Sequence, residues 1–249
     1  MWGSVWRESI PVKVGKDKRK RFTELESIEF VIQPPFQDIF DRDHALKGNW
    51  KKEFFGNTRP LVLELGCGKG EYTVGLARND PERNFIGVDI KGARIWKGAV
   101  QARDEGLRNV AFLRTRIDFI NSFFGPGEVD DIWITFPDPQ EKNRRRKKRL
   151  TGDLFLNRYR QFLTDGGPVR LKTDNPNLYT YTLDLVNFNR LPVDRFTDNL
   201  YATGWDDETV RIQTTYEKRF REAGKNILYL QFRIPAGKSI QPLPHDIVE

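Results

Sequence analysis

Short apolar runs and helical stretches alternate along most of this chain, and that alternation limits the fold more than any other feature. LVLEL (61–65) leads into a glycine-rich turn and a helix through about residue 78. NFIGVDI (84–90) precedes the helical pattern GARIWKGAVQARDEG (92–106). NVAFLRT (109–115) precedes a short helix ending near Phe124, where GPG breaks the chain, and VDDIWITF (129–136) is a fourth strand. GDLFLNRYRQFLTDGG (152–167) reads as a helix closed by glycine, PVRLKT (168–173) as a fifth strand and NPNLYTYTLDLVNF as a further helix. Near the end, TVRIQTTYEKRFREAG reads as helix and NILYLQFRI as strand. Strands alternating with helices of roughly 10–15 residues predict an α/β, Rossmann-like fold: a mostly parallel twisted sheet with helices on both faces. Such sheets bind ligands beyond the carboxyl ends of their strands, where strand order reverses. The first 55 or so residues are basic and weakly periodic, so the expected organisation is an N-terminal extension over 1–55 and one domain over 56–249.

The turn in LELGCGKGEY (63–72) follows a strand and opens a helix. Gly66, Gly68 and Gly70 allow a sharp bend and let a ligand approach a backbone without Cβ atoms. A dinucleotide fingerprint spaces its glycines G-x-G-x-x-G and places pyrophosphate at the helix N-terminus. Here the spacing is G-x-G-x-G and the strand carries Glu64, whose charge would repel pyrophosphate. The same carboxylate suits the ammonium and sulfonium of S-adenosylmethionine. Asp89, closing the second strand, is placed to accept hydrogen bonds from ribose hydroxyls. Cys67 lies within the turn and reads as a small filler, with no histidine near in sequence to activate it.

After the fourth strand comes TFPDPQEKNRRRKKRL (135–150). Asp138 sits between two prolines, which fix φ and restrict the preceding residues, so its carboxylate is held in one direction. Beside it run Lys142, Arg144, Arg145, Arg146, Lys147, Lys148 and Arg149, and a second basic cluster covers Lys13 to Arg21. Such clustering, within a net charge of +7, points to nucleic acid before an anionic membrane. Arginine is favoured where phosphate is gripped by two parallel hydrogen bonds. No bulky apolar residues oppose the charge in NRRRKKR, as a membrane-surface helix requires.

No apolar run approaches the roughly 18 residues of a spanning helix, and MWGSVWRESIPVKVG lacks the apolar core of a secretory signal. One cysteine allows no internal disulfide, which fits a reducing cytoplasm. Two histidines far apart, His44 and His245, leave little for a metal centre and read as surface imidazoles. No obligate protein partner is evident.

FPDPQEKNRRRKKRL resembles the F-P-D-P-W-x-K-x-R-x-x-K-R-R signature of the bacterial tRNA (guanine-N7-)-methyltransferases, and the resemblance extends from about residue 55 to the end. It implies a class I methyltransferase fold, S-adenosyl-L-methionine as co-substrate, and tRNA as partner. Glu64 and Asp89 match the family's cofactor-binding acids, and Asp138 the acid of the active site and cofactor contact. Lys142 matches a lysine for the tRNA substrate, and Arg144 to Arg149 its RNA-contacting stretch. Asp174 in LKTDNP, with Thr214 and Glu217 in TTYE, matches residues that bind substrate. The chain departs from the pattern twice: Gln140 replaces the tryptophan after P-D-P, and the acid expected after the third strand falls on Arg116, with Asp118 two residues on. The implied reaction is methylation of a guanine in the tRNA variable loop.

That chemistry agrees with the residues. Guanine N7 offers an in-plane lone pair, so no proton is removed before attack and the task is orientation. The product base is cationic, and a carboxylate such as Asp138 or Asp174 could stabilise the developing charge. Three rival readings stand beside it. One is methylation of an exocyclic amine on another base, which uses an Asn/Asp-Pro-Pro-aromatic motif unlike Pro-Asp-Pro-Gln. Another is a non-catalytic RNA-binding protein on the same fold, and the third is an oxidoreductase on a Rossmann core, disfavoured by the glycine spacing and the polyanion-binding surface.

Overall fold

The computed structural model describes residues 16–244, so Lys13 and His245 lie outside it. In chain order the elements begin with α1 (Lys16–Glu26), β1 (Val31–Ile32), α2 (Phe36–Ile39) and a π-helical turn over Trp50–Phe54. Then come β2 (Leu61–Leu65), α3 (Glu71–Asn79), β3 (Asn84–Asp89), α4 (Gly92–Asp104), β4 (Val110–Arg114) and β5 (Asp131–Thr135). The chain ends with α5 (Asp153–Tyr159), β6 (Gly167–Thr173), α6 (Pro176–Phe188), β7 (Val193–Thr197), α7 (Glu208–Arg211), α8 (Thr215–Glu222) and β8 (Leu228–Ile234). Short 3₁₀ turns cover Ile117–Ser122 and Asn143–Lys148.

These strands form one eight-stranded sheet in the order β1-β4-β3-β2-β5-β6-β8-β7. Only β8 runs against its neighbours, pairing antiparallel with β6 and β7. Because every residue of β2 and β5 is buried, neither strand shows apolar–polar alternation, as expected where both faces are covered. Leu61, Leu63, Leu65, Ile132 and Ile134 point to one core with α5 and α6. Val62, Phe85, Phe112 and Trp133 point to the other, with α1, α3 and α4. Order reverses between β2 and β5, which opens a crevice at their carboxyl ends.

The sheet corrects three sequence expectations. The helix expected through 152–167 stops at Tyr159, because Leu163 leaves to pair with Val129. The helix expected near 209–224 is two helices; the Ile212 and Thr209 carbonyls are taken by the buried Lys172 ammonium, and Thr214 caps a fresh start. The stretch before residue 56 is knit into the sheet: Val31 and Ile32 pair with β4, and buried Trp50 donates Nε1–H to the Phe123 carbonyl at 2.8 Å.

Close packing of α4 on the glycine turn requires Gly98. A Cβ there would lie 2.7 Å from the Lys69 carbonyl oxygen and 2.9 Å from the Gly70 Cα, both backbone. Gly98→Ala is therefore expected to lower stability by about 1–3 kcal/mol, measured by urea denaturation; a neutral effect would show that the turn shifts freely.

Candidate active site

The glycine turn adopts left-handed backbone at all three predicted positions, with φ of 80° at Gly66, 56° at Gly68 and 70° at Gly70. Gly70 has a second reason to lack a Cβ, which would meet the Phe112 ring at 2.6 Å. The turn is tied to β3: the N–H groups of Gly66 and Cys67 both donate to the Val88 carbonyl. Asp89 closes this arrangement. Its Oδ2 accepts the Gly68 N–H at 3.0 Å and its Oδ1 the Lys91 N–H at 2.7 Å. Two backbone donors thus fix the carboxylate, and each oxygen keeps a lone pair facing outward. Cys67 is buried, and burial pushes its thiol pKa up, in keeping with a filler role.

Glu64 lies beneath the turn, only 2% exposed. Its carboxylate accepts the Thr73 N–H at 2.8 Å, the Thr73 hydroxyl, and the Thr135 hydroxyl at 2.6 Å. Burial raises its pKa to about 7 against these stabilising bonds. Glu64 thus joins β2, the first turn of α3 and the end of β5.

Beyond Thr135 the chain enters P-D-P between two non-glycine residues in left-handed conformation, Phe136 (φ 47°) and Gln140 (φ 50°). Backbone strain of this kind costs on the order of 1 kcal/mol or more per residue and collects at functional sites. Asp138 is exposed, and its Oδ1 accepts the Gln140 N–H at 3.1 Å, which sets its direction.

A cleft of about 370 Å³ opens over the turn, lined by Gly66, Asp89, Arg116, Asp118, Asp138 and Lys148, with apolar walls from Ile90, Ile117, Leu150 and Phe155. Thr115, Lys91, Arg94 and Gln140 complete its lining. Of the predicted residues, the fold therefore brings Gly66, Asp89, Arg116, Asp138 and Lys148 together. Arg116 and Asp118 pair with each other at 3.2 Å. Sequence reading missed Thr115, which lines the cleft and whose buried hydroxyl has no hydrogen-bond partner. The available signal was its place directly after the apolar run of β4.

The remaining predicted residues lie around this centre. Lys142, Arg144, Arg145 and Lys147 are exposed on the loop beyond Asp138, and Arg146 is half-buried. Arg149 differs: it is 7% exposed, stacks 4.2 Å over the Tyr181 ring, and burial lowers its pKa. It packs inward rather than joining the cationic surface. Asp174 follows β6 and pairs with Lys225 at 2.7 Å. Next to it Asn175 caps α6 and donates to Glu141 at 3.0 Å, bracing the P-D-P loop. Thr214 caps α8 by accepting the Glu217 N–H at 3.2 Å. Glu217 is fully buried, 2.8 Å from the Lys172 ammonium and 2.7 Å from the Tyr201 hydroxyl, with Oε2 unpartnered. His44 is half-buried against Phe123 rather than at the surface, and burial lowers its pKa. Among the described residues no helix is long and apolar enough to cross a membrane.

The sheet order, the glycine turn and the acid closing β3 define a class I methyltransferase. Solved structures agree at the level of fold: an antibiotic-related methyltransferase matches with TM-score 0.57 and 17% identity over 78% of this chain and 97% of that one. A 16S rRNA adenine methyltransferase of Catenulisporales acidiphilia, solved with its cosubstrate SAM, matches with TM-score 0.53 and 14% identity over 80% and 96%. A family model described as "Putative methyltransferase" matches residues 58–230. A protein of Bacteroides thetaiotaomicron named tRNA (guanine-N(7)-)-methyltransferase is 47% identical over 89% of this chain and 87% of its own length. Proteins of the same name from Porphyromonas gingivalis (51%, over 84% and 86%) and Christiangramia forsetii (49%, over 88% and 98%) are equally similar. The chain belongs to the tRNA (guanine-N7-)-methyltransferase family.

Glu64 gives the site a pH signature. Its carboxyl titrates near 4.5 when unfolded and near 7 when folded. Between those values the folded chain keeps a proton that the unfolded chain has released, so stability falls as pH rises through that window. The loss should reach up to roughly 3 kcal/mol, and Glu64→Gln should flatten it. Urea denaturation from pH 4.5 to 8 measures both slopes; parallel slopes would remove Glu64 as the cause.

Proposed function

We infer that the chain transfers a methyl group from S-adenosyl-L-methionine to N7 of a guanine in the tRNA variable loop. The observation that carries this reading is one cleft in which Gly66, Asp89 and Asp138 face a common space beside an exposed cationic loop. Family membership supports the reaction class and the substrate.

The residues present fit the co-substrate. Asp89, fixed by two backbone N–H groups at the cleft wall, suits the polar edge of a nucleoside, and Ile90 and Ile117 offer apolar walls for a base. The lining carries both carboxylates (Asp89, Asp118, Asp138) and cations (Lys91, Arg94, Arg116, Lys148), which suits a zwitterion better than a pyrophosphate. Arg116 and Asp118, paired with each other, both line the cleft where the family pattern expects an acid after the third strand. When bound, the co-substrate supplies a methyl group on a positively charged sulfur.

The protein's part is alignment and charge. Asp138, aimed by its prolines and the Gln140 N–H, presents a fixed negative charge where the alkylated base becomes cationic. Asp174, Thr214 and Glu217 are the family's substrate-binding positions; fully buried Glu217, paired with Lys172 and capped by Thr214, holds the start of α8 in place. No general base is required, because N7 attacks through a lone pair it already carries. Lys142, Arg144, Arg145, Arg146, Lys147 and Lys148 hold phosphates and set register without reading bases. The choice of one guanine then falls to RNA shape and an unstacked loop base.

Nuclease digestion and mass analysis of unmodified tRNA treated with protein and adenosylmethionine should yield 7-methylguanosine. Methylation of an adenine or an exocyclic amine instead would replace this reading. Asp138→Ala should lower turnover by about 10²-fold or more while tRNA affinity holds; unaltered turnover would move the chemistry elsewhere. Replacing Arg144, Arg145 and Lys147 by alanine should weaken tRNA binding and reduce its salt slope by about 0.7–0.9 per lost phosphate contact. A slope equal to that of the wild type would leave those cations as solvated surface.

A further inference from the structure

One carboxylate beside the glycine turn has no part in the chemistry so far. Glu71 is the first residue of α3, directly after Gly70. Its Oε2 accepts the Thr215 N–H at 2.8 Å and its Oε1 accepts the Thr215 hydroxyl, across 144 positions of sequence. Thr215 opens α8, between Thr214 and Glu217, and its N–H is one of the helix-end donors with no partner inside the helix. A negative side chain at that end also interacts favourably with the α8 dipole.

Further down, α3 holds the α7 end of the same segment by other means. The Tyr72 hydroxyl donates to the Glu208 carbonyl at 3.0 Å, and a Cβ on Gly75 would lie 2.8 Å from Ile212. Those contacts fix where the 208–212 segment sits. The Glu71–Thr215 bonds instead reach the start of α8, where the substrate-binding positions begin, from the residue that ends the donor-side turn.

We propose that Glu71 is a positioning residue for methyl transfer, joining the turn that carries the donor to the helix start that carries the acceptor base. The inference rests on the function proposed above. Reacting atoms must be held within a narrow range of distance and angle, and a misplacement of about 1 Å can cost 10²-fold in rate. Two bonds from one carboxylate to one residue lock both the approach and the rotation of α8 about its first turn. Glu71 is not among the residues that line the cleft.

The test uses the full chain, adenosylmethionine and an unmodified tRNA transcript, comparing wild type with Glu71→Ala and Glu71→Gln. Expected is a single-turnover rate about tenfold or more lower in Glu71→Ala at saturating concentrations of both reactants. The two separately measured dissociation constants should stay within about twofold of wild type. Glu71→Gln keeps an acceptor for the Thr215 N–H and should recover most of the rate. Thr215→Val removes the hydroxyl but keeps the N–H, so it should cost less, and its effect should not add to that of Glu71→Ala. A Glu71→Ala rate equal to wild type overturns the proposal, as does a loss of rate matched by loss of folded protein in a thermal melt. Should wild type itself form no 7-methylguanosine, the function fails first; a normal wild-type product with an unaffected Glu71→Ala sinks only this inference.

Discussion

Everything at the carboxyl edge of the sheet depends on a buried carboxylate. Glu64 is nearly inaccessible, and burying an acid is costly unless its oxygens are satisfied. Thr73 and Thr135 satisfy them, and in doing so they bind the first turn of α3 and the end of β5 to β2. The glycine turn and the strand that delivers Asp138 therefore have one anchor. Because β2 and β5 flank the point where strand order reverses, that anchor sits under the crevice itself.

Around this anchor the active edge is built from conformations that most residues avoid. Three left-handed glycines shape one wall, and left-handed Phe136 and Gln140 bracket Asp138 on the other. Such loops hold their shape because the sheet beneath them is buried on both sides and fully paired. Phe136 illustrates the support: its N–H donates to the Lys172 carbonyl at 2.8 Å and its ring lies 5.8 Å from that of Phe220 in α8. The glycine turn, the Asp138 loop and α8 are thus three parts braced against one another.

Likeness of fold alone says little about chemistry here. The solved relatives at 14–17% identity share the sheet, and the fold hosts many acceptors. In this chain the loop after β5 places a pinned acid and an exposed cationic stretch on one rim. Gln140 occupies the family's tryptophan position and lines the cleft, so the wall beside Asp138 is polar in this chain.

The amino-acid sequence determined the parts that depend on neighbours in the chain. Strand and helix periods placed the five central parallel strands, and the G-x-G-x-G spacing was legible because left-handed backbone is a steric property of single residues. Asp89 and Asp138 could be located at the carboxyl edge of the sheet because one closes a strand and the other lies just beyond the end of one. Contacts between distant segments left no such trace. Mostly charged α1 and the half-exposed edge strand β7 carry weak periodicity, and the break between α7 and α8 is set by Lys172 from another strand. Arg149 looks like its cationic neighbours until Tyr181 takes it inward, and Thr115 looks unremarkable until burial leaves its hydroxyl without a partner. Glu71 and Thr215 meet only after the sheet has closed. Burial and pairing across long separations are properties of the packed chain, and only the tertiary structure decides them.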